Sequence, residues 1–335
     1  MVLSAADLPH YLMERGLVSA SSFVDGDFKV HELSRRNRVF RVSRGPFPGY
    51  VVKQVMKWTP EILESMEREA GVYSAIRSDP RLSFLREMVP QCYVYDADNL
   101  VFVLELLDSA RREDHAASVG QSLRRLRQES SALRTTISGF RMHDPWILSL
   151  HRKSERNFDR VSAANAELMR VVKRETAVGE ALDELRASWQ SDTLVHGDMK
   201  WDNCLVAENG TPKFIDWEMC GWGDPLWDAA GILQEYLSVW VQGHRPAPSR
   251  RTPPLDSPAA EVAPRMRDFW ESYKEPAESL PRAVKLAAAR LVQTAWESQQ
   301  RSESMTAKSV RLLQASVNML ASPEAAVEMF FGAEA

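Results

Sequence analysis

The sequence predicts an α+β chain in two lobes, a small one built on an antiparallel sheet and a larger, mainly helical one. Strand-like runs are concentrated in the first third of its 335 residues, whereas beyond residue 107 apolar residues mostly recur at helical spacing. That length is comfortable for two lobes, each with its own core. The expected division is 1–107 and 108–335.

Taken in order, residues 1–16 read as a short helix capped by Gly16, since glycine reaches the left-handed backbone that ends many helices. This stretch lacks a cationic head followed by an apolar core, so no signal peptide is expected. Residues 33–42 and 50–56 read as strands joined by a Gly-Pro turn over 44–49. Lys53 lies inside the second apolar run, an uncomfortable place for an ammonium without a partner. The other reading of Lys53 is a surface lysine on an edge strand. Residues 64–76 look helical and carry Glu64, Glu67 and Glu69, and 100–107 reads as a further strand. Helical patterns follow over 119–133, 160–189, 228–241, 266–273, 283–300 and 307–320. Residues 243–264 break the pattern, with six prolines and few large apolar side chains, and read as surface slack more than as a lid.

The chemistry concentrates between Leu194 and Asp228. His196-Gly197-Asp198 stands five residues before Asn203, and Ile215-Asp216-Trp217-Glu218 follows. Two short apolar runs flank Asn209-Gly210, a pair that tolerates the positive φ of a tight turn, so a hairpin is expected. A hairpin returns its ends to one place, which sets Asn203 beside Asp216 with Asp198 one loop away. Magnesium prefers hard oxygen ligands and is usually held by one or two side chains plus substrate phosphates. Phosphoryl transfer asks for such a set: an Asp to accept the acceptor's proton, and an Asn and an Asp to hold metal. Lys200 adds a positive charge that can reach the migrating group. The bland alternative is an acidic loop with a stray histidine.

The segment resembles the aminoglycoside phosphotransferase and choline kinase group, which has a protein-kinase-like fold. The resemblance implies that Asp198 is the catalytic base, that Asn203 and Asp216 bind Mg²⁺, and that His196 braces the loop. It implies that Asp228, in Gly223-Asp224-Pro225-Leu226-Trp227-Asp228, caps the loop's amides from the following helix. The first lobe becomes the nucleotide-binding lobe, with Lys53 and Glu69 as the pair that holds the α- and β-phosphates of ATP. Glu64 and Glu67 compete with Glu69 on the same helix. Backbone groups near Glu105 and Leu107 are expected to meet adenine. The sequence departs from protein kinases in having no G-x-G-x-x-G loop; the corresponding turn reads Ser34-Arg35-Arg36-Asn37-Arg38. Those arginines either contact phosphate or form a solvated basic turn. Gly197 stands where many protein kinases have Arg, so control by an activation-loop phosphate is not expected.

Composition narrows the partners. The net charge of −4 gives no reason to expect nucleic acid or a membrane surface, and no apolar run approaches the length of a spanning helix. Three cysteines without metal-ligand spacing point to a reducing compartment, the cytoplasm, and Cys204 and Cys220 read as small buried hydrophobes. Residues 111–160 carry eleven Lys or Arg against six Asp or Glu. That surplus fits an anionic substrate or a docking partner, or is an ordinary solvated helix face.

A finer resemblance rests on Arg35-Arg36-Asn37, Lys53-Gln54, the 196–204 block, Asp216-Trp217-Glu218, the 222–228 block, and Gln293-Thr294-Ala295-Trp296-Glu297. With these the chain is similar to the stand-alone kinase-like proteins of ribosomal-peptide pathways, such as lanthipeptide and thioamide peptide assembly. The implied acceptor is a Ser or Thr hydroxyl of a leader-bearing precursor peptide, with a separate lyase protein eliminating the phosphate. Two alternatives stand beside it: a small-molecule kinase for an amino alcohol, sugar or antibiotic, and a catalytically silent, peptide-binding scaffold.

Overall fold

The computed structural model describes residues 2–24, 28–33, 37–45, 47–107, 115–137, 139–158, 160–207, 210–243 and 258–332. The chain forms two compact units, one of Met1–Arg112 with Asn203–Cys220, the other of Glu113–Asp202 with Gly221–Ala335.

The first unit is built on a five-stranded antiparallel sheet of β1 (Phe28–Glu32), β2 (Arg38–Arg44), β3 (Phe47–Gln54), β4 (Cys92–Asp96) and β5 (Val101–Glu105), in the order β1-β2-β3-β5-β4. Side chains alternate across a strand, and both faces of the sheet are covered. Phe40, Val42, Val52, Val101 and Val103 pack with Leu8, Tyr11 and Leu12 of helix α1 (Leu8–Glu14) into one buried cluster. Gly16, at φ 69°, lets the chain turn off α1, with its N–H donated to Met13 at 2.9 Å. A further short helix, α2, spans Ser21–Val24, and the long α3 (Pro60–Ser78) buries Met66, Glu69, Val72, Tyr73 and Ile76. Tyr73 meets Phe102 with ring centroids 5.9 Å apart.

The strands depart from the sequence reading at their ends. Residues 33–42 are not one strand: β1 ends at Glu32, which pairs with Phe40, and β2 begins only at Arg38. Of the basic turn, Ser34, Arg35 and Arg36 lie outside the described residues. Phe47 to Gly49 belong to β3 and not to a turn, because Gly45, at φ 56°, already reverses the chain.

The second unit is helical: α4 (Ala116–Ser131), α5 (Ala163–Arg174), α6 (Thr176–Ala187), α7 (Leu226–Gly243), α8 (Pro258–Tyr273), α9 (Leu280–Ser298), α10 (Ala307–Ala321) and α11 (Pro323–Phe331). The single pattern expected over 160–189 is two helices, broken at Glu175, whose extended ψ of 92° ends α5. The proline-rich stretch also needs correction. Residues 244–257 lie outside the described residues, but Pro258–Pro264 opens α8. Pro258 takes the first helical position, where its missing N–H has no intrahelical partner anyway. Val262, Ala263, Met266, Phe269, Trp270 and Tyr273 then give one buried face. Among the described residues no helix is long and apolar enough to cross a membrane.

Candidate active site

In the first unit the strand register puts Lys53 opposite Phe102, on the sheet face where Phe102 meets Tyr73 of α3. Its ammonium donates to Glu69 Oε2 at 2.8 Å and also pairs with Asp216 Oδ1. Of Glu64, Glu67 and Glu69 on α3, Glu69 is the one that reaches it: Glu64 pairs with Arg68 at 2.9 Å, and Glu67 is exposed. The apolar run thus buries Lys53 with two partners, the condition for an interior ammonium. Burial by itself disfavours the charged amine, but Glu69 and Asp216, with Glu218 nearby, outweigh it and hold the pKa well above the ordinary lysine value. Burial raises the Glu69 carboxyl, against the pull of Lys53.

Asp216 comes from the hairpin of Cys204–Val206 and Pro212–Phe214, where Cys204 pairs with Phe214 and Val206 with Pro212. The ladder runs one residue further, the Ile215 N–H donating to the Asn203 carbonyl at 3.0 Å. Asn203 and Asp216 therefore sit at the open end of the hairpin. Gly210 has φ 80°, while Glu208 and Asn209 lie outside the described residues. Asp216 itself takes a left-handed conformation, φ 68° and ψ 56°. A non-glycine residue there is strained, and such strain persists only where neighbours over-determine the backbone. Those neighbours are in view: Trp217 Nε1 donates to the Phe214 carbonyl at 2.7 Å, Ser65 Oγ to Glu218 Oε2 at 2.6 Å, and Arg68 to the Glu218 carbonyl at 3.2 Å.

Among the described residues no group of three or more His, Cys, Asp or Glu could hold a metal ion. Asn203 and Asp216 nonetheless fit Mg²⁺, which needs few hard oxygen side chains when phosphates complete its shell. Glu105 ends β5 with its N–H given to the Gln91 carbonyl at 2.8 Å and its carboxylate bonded to Lys213 at 2.6 Å. Leu106 donates to Gly49 at 3.1 Å, and Leu107 follows, half-buried, beyond the sheet.

In the second unit the loop after strand Thr193–Val195 holds His196, Asp198 and Lys200. Asp228, in the first turn of α7, accepts the N–H of His196 at 2.6 Å and of Gly197 at 3.0 Å. The cap implied for this residue is thus seen in its bonds. Burial pushes the Asp228 carboxyl up, opposed by His196 and the two amides. Gly197 has φ 85°, so glycine is required here by backbone conformation. The Asp198 N–H donates to His196 Nδ1 at 3.3 Å, and Lys200 Nζ to Asp198 Oδ2 at 2.6 Å.

Two residues that the sequence reading passed over also touch this loop. Trp227 Nε1 donates to the Gly197 carbonyl at 2.9 Å, and Arg290, buried on α9, donates to the Met199 carbonyl at 3.0 Å. The signal for Arg290 was present: one arginine between Ala287-Ala288-Ala289 and Leu291-Val292 on an apolar helix. Three arginines of the basic stretch 111–160 have partners within the second unit, while Arg111 and Arg112 lie outside the described residues. Arg127 pairs with Glu275 and lies over Tyr273; Arg134 donates to the Ser191 carbonyl at 2.7 Å; Arg152 meets Asp183 at 2.6 Å. Cys204 and Cys220 are buried, as small apolar side chains would be.

Known structures share this fold. A choline kinase from Streptococcus pneumoniae is 14% identical, with 94% of this chain and 99% of that one covered, at a TM-score of 0.57. A choline/ethanolamine kinase family protein from Mesorhizobium loti is 16% identical over 95% and 97% of the two chains, also at 0.57. An amicoumacin kinase solved with AMP-PNP and Ca²⁺ is 14% identical over 94% and 96%, at 0.54. The fold is thus kinase-like, a small antiparallel-sheet lobe with a mainly helical one. The model of the phosphotransferase enzyme family (APH) matches residues 27–252, and the chain belongs to that family. It is an ATP-dependent kinase acting on hydroxyl groups. No curated protein matches the chain.

Proposed function

We propose that this kinase phosphorylates Ser or Thr hydroxyls of a leader-bearing precursor peptide, as the first half of a dehydration that a separate lyase completes. Lys53, steadied by Glu69, holds the α- and β-phosphates of ATP, and backbone groups near Glu105 and Leu107 receive adenine. Asn203 and Asp216 are the residues for Mg²⁺, which when bound neutralises phosphate charge. Asp198 orients the acceptor hydroxyl and takes its proton as the new P–O bond forms and the bond to ADP breaks. Lys200 offsets negative charge beside Asp198, and His196 braces the loop. The observation that carries the phosphotransfer reading is the buried Lys53 ammonium held between Glu69 and Asp216.

Support for the peptide acceptor comes from the 196–204, 222–228 and 293–297 sequence blocks. Phosphate is a far better leaving group than hydroxide, so phosphorylating the alcohol prepares an elimination. A second reading, a small hydroxyl compound as acceptor, is favoured by the fold neighbours, a choline kinase and an amicoumacin kinase among them. A cytoplasmic setting belongs to the same proposal and rests on the odd count of three cysteines, which lack metal-ligand spacing.

Mass spectrometry of candidate precursor peptides with the protein, Mg²⁺ and ATP separates these readings. The peptide reading expects a gain of one phosphoryl mass, replaced by loss of water when the lyase is added. Phosphorylation of amino alcohols or sugars, with every peptide untouched, would establish the second.

A further inference from the structure

The geometry points to Arg290 as a positioning residue for the transfer step, acting through Asp198 and the loop that carries it. The inference rests on the reading of Asp198 as the base, and deepens it. Arg290 is 4% exposed in the middle of α9, among Ala287, Ala288 and Leu291. Burial lowers its pKa, countered by Asp198 first and then by Asp228, Glu297 and Glu235. Stability alone does not explain a guanidinium there, since an apolar residue of similar volume is often as stabilising at a buried charged position. What it touches does explain it.

Its guanidinium lies over the Trp227 ring, 4.6 Å from the centroid. From that shelf Nη2 donates to the Met199 carbonyl at 3.0 Å and stands 4.0 Å from Asp198 Oδ1. Lys200 holds the other oxygen, Oδ2, at 2.6 Å. The Asp198 carboxylate is thus set between two cations, one on the loop and one on a rigid helix. The same loop is pinned on its other side by Asp228 and by Trp227 Nε1. Gly231 makes the approach possible, because a Cβ there would come within 2.3 Å of the Met199 carbonyl oxygen and 3.2 Å of Arg290 Cζ. Arg290 fixes the Met199–Lys200 peptide, one residue beyond Asp198, and with it the direction in which the carboxylate faces the acceptor.

The test compares Arg290→Met and Arg290→Lys with the wild type in the full chain. Phosphate release from Mg-ATP, with water as the acceptor, is divided by the number of nucleotide sites titrated with a fluorescent ATP analogue. Misfolding removes sites, whereas a displaced base slows each site that remains. Misplacing a catalytic group by an ångström costs about a hundredfold, so Arg290→Met should slow turnover per site by at least about tenfold. Affinity for the analogue should stay within about twofold, since Arg290 is not assigned to the nucleotide. Arg290→Lys keeps the charge without the planar fork and should recover only part of the rate. Turnover per site within about twofold of wild type in Arg290→Met would overturn the inference, as would a fall in analogue affinity that accounts for the loss. Should Arg290→Met not fold, Arg290→Lys decides, an unchanged rate per site overturning it. Asp198→Asn separates the two levels: if that variant keeps full turnover, the reading of Asp198 falls, and not merely the part given to Arg290.

Discussion

Asp198 and Lys53 carry the sharpest residue-scale expectations, because each is read with a definite chemical role. Asp198→Asn keeps the side chain's shape and removes its basicity. Transfer should slow by about 10²–10⁴-fold, the usual weight of general base catalysis, with nucleotide affinity nearly unchanged in a titration. Lys53 is different, since it is structural as well as chemical. Lys53→Met leaves Glu69 buried without its cation, and breaking a buried pair in this way costs about 3–5 kcal/mol. Denaturant titration should show that loss alongside weaker nucleotide binding. The lysine was legible in the sequence as an ammonium inside an apolar run. Which glutamate answers it was not, because Glu64, Glu67 and Glu69 share one helix and only the packing of α3 picks the register. Arg290 is the converse case: an arginine in an apolar helix stands out, but its target lies 91 residues away in sequence.

At the scale of the element, local chemistry decided a good deal. Glycine at 197 is demanded by a φ of 85°, and Gly197→Ala should cost about 1–2 kcal/mol of stability in a thermal or denaturant melt. Helix α1 is anchored to the sheet unit through Asp96, which accepts from Tyr11 at 3.0 Å and Asn99 Nδ2 at 3.0 Å and pairs with Arg15. Burial pushes the Asp96 carboxyl up, but these donors hold it below the ordinary carboxylate value. A depressed folded pKa means stability present above the unfolded pKa and lost as pH falls through the folded one. Melting measured below about pH 4 should therefore fall more steeply for the wild type than for Asp96→Asn. Periodicity located helices α4, α7, α9 and α10 closely. It failed where a boundary was made by backbone angle alone, at Glu175, and where prolines in 258–264 masked the start of α8.

Across the whole molecule the expectation concerns reaction and metal. EDTA should abolish transfer to any acceptor and added Mg²⁺ should restore it, because the phosphates' charge is to be neutralised by the metal proposed at Asn203 and Asp216, and not by those side chains themselves. Retained activity in chelator would remove both residues from that role. By itself the sequence determined the two-lobed class and the hairpin that sets Asn203 and Asp216 at one open end. These follow from local rules: turn residues, strand alternation, helical spacing and the short separation of the motif residues. Only the tertiary structure decided that residues 203–220 cluster with the N-terminal sheet, that Glu69 is the partner of Lys53, and that Arg290 braces the Asp198 loop. Each is a pairing across long stretches of chain, fixed by which faces bury together, and no local propensity encodes it.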